Sequence, residues 1–240
     1  MRFFNAGDSG LVIEFGNEIS EGINRRITYV TGKLDQAKLP GILDIIPTYR
    51  SILVNFDPFC ISAGEIVDIA AAAMNDFSAS PGTAEGEVIE IPVLYGGEKG
   101  PDMDFISAHT GLPPEEVIRI HSSVEYLIYM IGFTPGFPYL GGMPKEIATP
   151  RLQKPRALIP AGSVGIAAGQ TGIYPVESPG GWQLLGRTPV KIFDHRRDPP
   201  FLLAAGSYLK FVPVTEDAYA AIEKAEAEGT YRSVHRRKEG

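Results

Sequence analysis

Apolar residues recur along this chain with two different periods. GLVIEF at 10–15 follows an Ala-Gly-Asp-Ser turn and predicts a short strand. From Ile19 the apolar positions fall at Ile23, Ile27, Val30 and Leu34, the spacing of a helix with one buried stripe. Residues 41–46 and 51–56 return to strand patterning on either side of Pro47-Thr48-Tyr49-Arg50, which predicts a hairpin. Ser62 with Glu65 three residues on is a capping-box pattern, and Ile66, Ile69, Ala70 and Ala73 carry a second helix to about Phe77. Strand, helix, two strands, helix makes a small α+β unit with the helices on one face of the sheet. SASPGTAEG at 78–86 is small, polar and turn-rich, and a domain boundary is expected there, giving domains 1–82 and 83–240.

Beyond it, VIEIPVLY at 88–95 predicts a strand, with Pro92 placing it at an edge or a bulge. Residues 102–110 predict a helix stopped by Gly111. Pro113-Pro114, with Glu115 and Glu116 in the first turn, opens another that delivers His121. Residues 124–131, 190–193 and 207–214 read as strands, 218–228 as an alanine-rich helix, and the segment after Gly229 as a loose tail. Short strands without a helix between each pair imply a mostly antiparallel barrel or sandwich.

Between strands 124–131 and 190–193 the pattern changes. Residues 132–189 hold 11 of the 27 glycines and 9 of the 20 prolines, interleaved with Phe133, Phe137, Tyr139, Tyr174, Trp182, Arg151, Arg156 and Arg187. A flexible linker lacks such aromatics. Glycine permits tight turns and close backbone approach, and proline fixes φ, so the stretch predicts an ordered, tightly turned β surface that holds its shape.

Composition narrows the function classes. With 44% hydrophobic and 21% charged residues, the chain has ordinary globular composition. A net charge of −7 argues against nucleic-acid binding. No apolar run approaches the roughly 20 residues of a membrane helix, the N-terminus has no signal-peptide core, and Cys60 stands alone, so a cytoplasmic location is expected. Apolar neighbours Phe59 and Ile61 suggest that Cys60 is a buried packing residue. No phosphate-binding or dinucleotide fingerprint is present, histidines at 109, 121, 195 and 235 make no local metal site, and Ser163 lacks a nucleophile-elbow context.

GFTPGFPYLGG, PAGSVGIAAGQTGIYP and SPGGWQLLGRTP resemble the hallmark blocks of the 5-oxoprolinase B-subunit family, also called allophanate hydrolase subunit 1 or the sporulation-kinase-inhibitor family. The resemblance extends to AGDSGLVIEFG, NFDPF, IPVLYGGEKGPD and EEVIRIHSSVEY, and so covers nearly the whole chain in order. One departure is Ala168, where the pattern has glycine. The resemblance implies an α+β protein: a small N-terminal α/β domain, then a cyclophilin-like antiparallel β-barrel. It implies partner subunits A and C, with which the family hydrolyses 5-oxo-L-proline to L-glutamate using ATP, bound by the complex or by this chain. As alternatives, it implies a protein-binding inhibitor of a sporulation-type histidine kinase or a subunit related to allophanate hydrolase and urea carboxylase.

A lactam activated through its carbonyl needs cations or N–H groups around oxygen, and arginine offers a bidentate fork. The expected catalytic residues are His121, as proton carrier favoured in its charged form by a helix C-terminus, and Arg187. Expected substrate contacts are Arg151, Arg156, Gln170 and Tyr174. Phe133, Phe137, Tyr139 and Trp182 are the expected interface anchors. No Arg–Phe–His constellation of a prolyl isomerase is visible, and fold alone does not carry that activity.

Overall fold

The structure, a computed structural model, describes residues 1–77 and 86–238. Its described residues fall into two compact units, one on each side of 78–85; the expected domain boundary lies outside the described residues.

The first unit comprises β1 (Arg2–Asn5), β2 (Gly10–Glu14), α1 (Glu21–Gln36), β3 (Ile42–Pro47), β4 (Ser51–Phe56) and α2 (Ala63–Asp76). Its antiparallel sheet runs β1-β2-β4-β3. Helix α1 starts where the Ser20 hydroxyl accepts the Ile23 N–H at 3.3 Å, so Ile19 lies before the cap and is exposed. Ile23, Ile27, Val30 and Leu34 form the buried stripe. The capping box is present: Ser62 Oγ accepts the Glu65 N–H, and Glu65 Oε2 accepts the Ser62 N–H. Both helices pack against Leu11, Ile13, Ile52, Val54 and Phe56, the alternate residues of one sheet face. Cys60 is exposed rather than buried. It follows Phe59, whose side chain is 98% exposed, and its thiol donates to Asp57, which holds the thiol pKa above its ordinary value.

The second unit contains β5 (Glu87–Tyr95), α3 (Met103–Thr110), α4 (Pro114–Ser123), β6 (Glu125–Ile131), β7 (Pro138–Gly141), β8 (Arg156–Ile159), β9 (Ser163–Ala167), β10 (Gln170–Ile173), β11 (Ser178–Gly180), β12 (Gln183–Arg187), β13 (Tyr208–Pro213), α5 (Glu216–Ala227) and β14 (Val234–Arg237). The main sheet runs β10-β9-β12-β5-β13-β6-β7, and its two ends lie side by side, so it is a nearly closed barrel. Every pairing is antiparallel except β5 with β13. Strands β8 and β11 form a separate two-stranded ribbon.

Three local expectations change. Strand β5 lies in the interior of the sheet, not at an edge, yet it tolerates Pro92. On one side it pairs with β14 through Glu90 and with β12 from Leu94, leaving residues 91–93 unpaired on that side. The Val93 carbonyl accepts from Val214, so Val93 faces β13 and its neighbour Pro92 faces the gap, where no N–H is needed. Residues 190–193 form only an isolated bridge, Phe193 to Phe201; Pro199 and Pro200 remove donors that a ladder requires. The tail is not loose: β14 pairs with β5, and Arg236 binds Glu90 at 3.2 Å and also Glu125.

Candidate functional site

The glycine- and proline-rich stretch folds into barrel strands β7, β9, β10 and β12, the β8–β11 ribbon and the turns between them, and a cleft of about 200 Å³ opens among these elements. Phe133 and Phe137 come from the turn before β7 and Tyr139 from β7 itself. Gln170 opens β10 and Tyr174 follows it, while Pro179, Gly180, Gly181 and Trp182 come from β11 and the turn after it. Arg151 completes the lining. Phe137 is the hub of the wall, meeting Phe133, Tyr139, Tyr174 and Trp182 edge-to-face with centroids 5.4 to 5.8 Å apart. Such pairs are favourable beyond their buried area, and they fix the rings in place.

Two positions show how the backbone shapes the cleft. A β-carbon on Gly180 would stand 2.5 Å from Tyr174 Oη and 2.7 Å from Ile159 Cδ1, so only glycine leaves Tyr174 where it is. Phe133 adopts φ +63°, rare for a bulky residue, and is 75% exposed at the mouth. Its turn is held by hydrogen bonds from the N–H groups of Gly132, Thr134 and Phe137. Burial pushes the Tyr174 hydroxyl pKa up, opposed by the Trp182 backbone N–H and by the charges of Arg151 and Arg156.

Seven of the ten expected site residues therefore converge: Phe133, Phe137, Tyr139, Arg151, Gln170, Tyr174 and Trp182 all line this cleft. Arg151 is exposed. Arg156 stands behind the wall, donating from Nη2 to Asp102 Oδ1 at 2.7 Å and from Nη1 to the Trp182 carbonyl at 3.4 Å. Asp102 also accepts the Leu184 N–H at 2.7 Å, so this carboxylate, at the start of α3, ties the helix to the cleft wall instead of capping its own helix. In the sequence Asp102 reads only as a helix start. Arg187 lies in another cleft, of about 260 Å³ beside α5, with Nε bound to the Ala161 carbonyl.

His121 is placed differently from expectation. Its ring is fully buried, stacked on Phe211 with centroids 4.4 Å apart. The Thr171 hydroxyl donates its one hydrogen to the Gly165 carbonyl, so it accepts from His121 Nε2, and Nδ1 in turn accepts from the Tyr95 hydroxyl, both at 2.8 Å. The ring is a neutral, fully satisfied tie between α4, β5 and β10. Burial lowers its pKa to about 3, and this outweighs the helix C-terminus that was expected to favour the charged form. Because the unfolded chain protonates His121 near 6.5, the stability due to the neutral ring is complete above that pH. It is lost between pH 6.5 and about 3, at about 1.4 kcal/mol per pH unit. Urea unfolding at about pH 7.5 and about pH 5 should show the wild type losing about 2 kcal/mol more than His121→Gln over that span. Equal losses would mean that the ring is not held neutral.

The turn joining β9 and β10 has Ala168 at φ +51°, a left-handed conformation that favours glycine. A left-handed alanine costs about 1–2 kcal/mol, partly offset by the greater unfolded-state freedom of glycine. Ala168→Gly should raise stability by about 0.5–1 kcal/mol, measured as a thermal midpoint about 1–4 °C higher. A lower midpoint would contradict strain at this turn.

The carboxyltransferase domain family, subdomain C and D, matches residues 1–203. The B subunit of 5-oxoprolinase from Bacillus subtilis (strain 168) is 42% identical over 232 residues, covering 91% of this chain and 95% of that protein. The crystal structure of TTHA0988 superposes with a TM-score of 0.76 at 36% identity, over 86% of this chain and 40% of that longer one. The K. lactis urea amidolyase matches with a TM-score of 0.77 over 98% of this chain and 16% of its own, but at 22% identity it speaks to the fold alone.

Proposed function

We propose, from the premise that this chain belongs to the 5-oxoprolinase B-subunit family, that the aromatic cleft is its contribution to lactam hydrolysis. In this reading the cleft binds 5-oxo-L-proline for an assembly with subunits A and C. The observation that carries the proposal is the pairing of ring walls with one guanidinium. Phe137, Tyr174 and Trp182 offer apolar faces to a small ring, and Arg151 offers a fork to its carboxylate. Gln170, at the first position of β10, supplies amide groups on the same lining for the ring amide. The substrate role thus moves from Arg151 and Arg156 together to Arg151 alone.

ATP does not fit this cleft. At about 200 Å³ it falls below the roughly 300–1,000 Å³ of sites for drug-sized ligands, and it offers a triphosphate one guanidinium. The nucleotide is therefore assigned outside this cleft, and the cleft's part is to bind and orient the lactam and keep it from water. Proton transfer is likewise assigned to groups outside His121, whose two ring nitrogens are both engaged in the core.

The test is reconstitution. The chain is mixed with purified A- and C-type subunits, and glutamate release from 5-oxoproline with ATP is measured, with each subunit omitted in turn. Activity is expected only with the full set. A full set of folded subunits that releases no glutamate refutes the assignment.

A further inference from the structure

A carboxylate behind the cleft, Asp102, binds a guanidinium that starts from the cleft wall. Arg156 sits opposite Gly180 in the β8–β11 ribbon, so its side chain starts from the cleft wall. The guanidinium is nevertheless not part of the lining, because Asp102 holds it at 2.7 Å and the Trp182 carbonyl takes a second N–H. Asp102 is almost buried and is itself fixed by the Leu184 N–H, so it is a rigid anchor and not a surface charge. The charge of Arg156 still reaches the cleft, since it acts on the Tyr174 hydroxyl together with Arg151. Within the lining, Arg151 is the one guanidinium.

We propose that Asp102 is a specificity-determining positioning residue: by holding Arg156 out of the lining, it matches the cleft to a ligand with one carboxylate. The inference rests on the lactam-binding reading given above. The chemistry of the two ends of that reaction gives it content. 5-Oxo-L-proline carries one carboxylate and a neutral ring amide, whereas glutamate carries two carboxylates and an ammonium group, so the two differ in the number of carboxylates and not in net charge. Against aromatic walls, a second carboxylate without a cation is desolvated without compensation. The cleft therefore favours substrate over product because it pairs one carboxylate and not two. When Asp102 loses its charge, Arg156 loses its counter-ion and its fork becomes available to a second carboxylate.

Trp182 is the single tryptophan of the chain and lines the cleft, so its fluorescence reports binding in the full-length protein directly. The probes are 5-oxoproline and glutarate, a dicarboxylate without an ammonium group. In Asp102→Asn, which keeps the side-chain volume and an acceptor for the Leu184 N–H, the affinity for glutarate relative to 5-oxoproline should rise about tenfold. The double variant Asp102→Asn with Arg156→Gln should return that ratio to the wild-type value. A residue that only supports the wall would instead lower both affinities by the same factor. That result, or an unchanged ratio, overturns the inference while leaving the lactam reading intact. No response of the wild type to 5-oxoproline overturns the lactam reading and this inference with it. Thermal melts check that each variant is folded, and Asp102→Ser gives the same ratio test should the asparagine variant not fold.

Discussion

Gly100→Ala should cost at least about 3 kcal/mol and lower the thermal midpoint by about 6–12 °C, the largest stability effect expected of any single methyl group here. The α-carbon of Gly100 is pressed against the carbonyl of Leu185 on β12, and an added β-carbon would overlap that oxygen and crowd the Gly96 N–H. These are backbone atoms, so no side-chain rotation relieves the clash. The same carbonyl accepts the Gly96 N–H at 3.0 Å, and the Asp102 N–H binds the Leu184 carbonyl two residues later. Separating these segments would therefore break the junction between the end of β5, the start of α3 and β12. Gly97→Ala is the control. Its φ of +54° is strained for alanine, but nothing lies within 4 Å of the added carbon, so it should cost only about 1–2 kcal/mol. A Gly100→Ala protein melting within a degree or two of wild type would show that the junction yields.

The largest functional effect is expected at Arg151. In the reconstituted enzyme, Arg151→Gln should lower kcat/KM for 5-oxoproline by about 10- to 100-fold, the cost of losing a hydrogen-bonded charge pair with the carboxylate. Most of the loss should appear in KM, because the carboxylate is bound alike before and during ring opening. Stability should hardly change, since the side chain is exposed and forms no ion pair among the described residues. Arg151→Lys should recover part of the charge but not the fork. If Arg151→Gln kept wild-type kcat/KM while Arg187→Gln lost it, the substrate site would lie in the cleft beside α5.

Much of this was legible in the chain because it is local. The capping box at Ser62, the stripe from Ile23 to Leu34 and the stop at Gly111 each depend on residues within a turn or two, and each appears as read. The clustering of glycine, proline and aromatic residues marked the cleft surface for the same reason. What the chain hid depends on distant partners. Nothing near Arg156 says that its guanidinium is taken by a carboxylate 54 positions away. The helix that carries His121 gave no sign that the ring would point inward between Tyr95 and Thr171. Strand β1 is four residues long, and β14 is polar and charged, so both are strands only because β2 and the first half of β5 offer them backbone partners. Cys60 misled through its apolar neighbours, one of which, Phe59, is itself in solvent.

The pairing of β5 with β13 and β14 also sets the order in which the barrel can be made. The first strand of that unit finds its parallel neighbour near residue 210 and a further partner near 235. Until those residues leave the ribosome, β5 is an apolar nine-residue segment without its central ladder. Contacts of such long range slow folding and lengthen the exposure of a sticky strand. The first unit has no such wait, since its sheet and both helices close within the first 77 residues. During synthesis it should be folded while the barrel is still open, which makes chaperone capture a matter for the second unit alone.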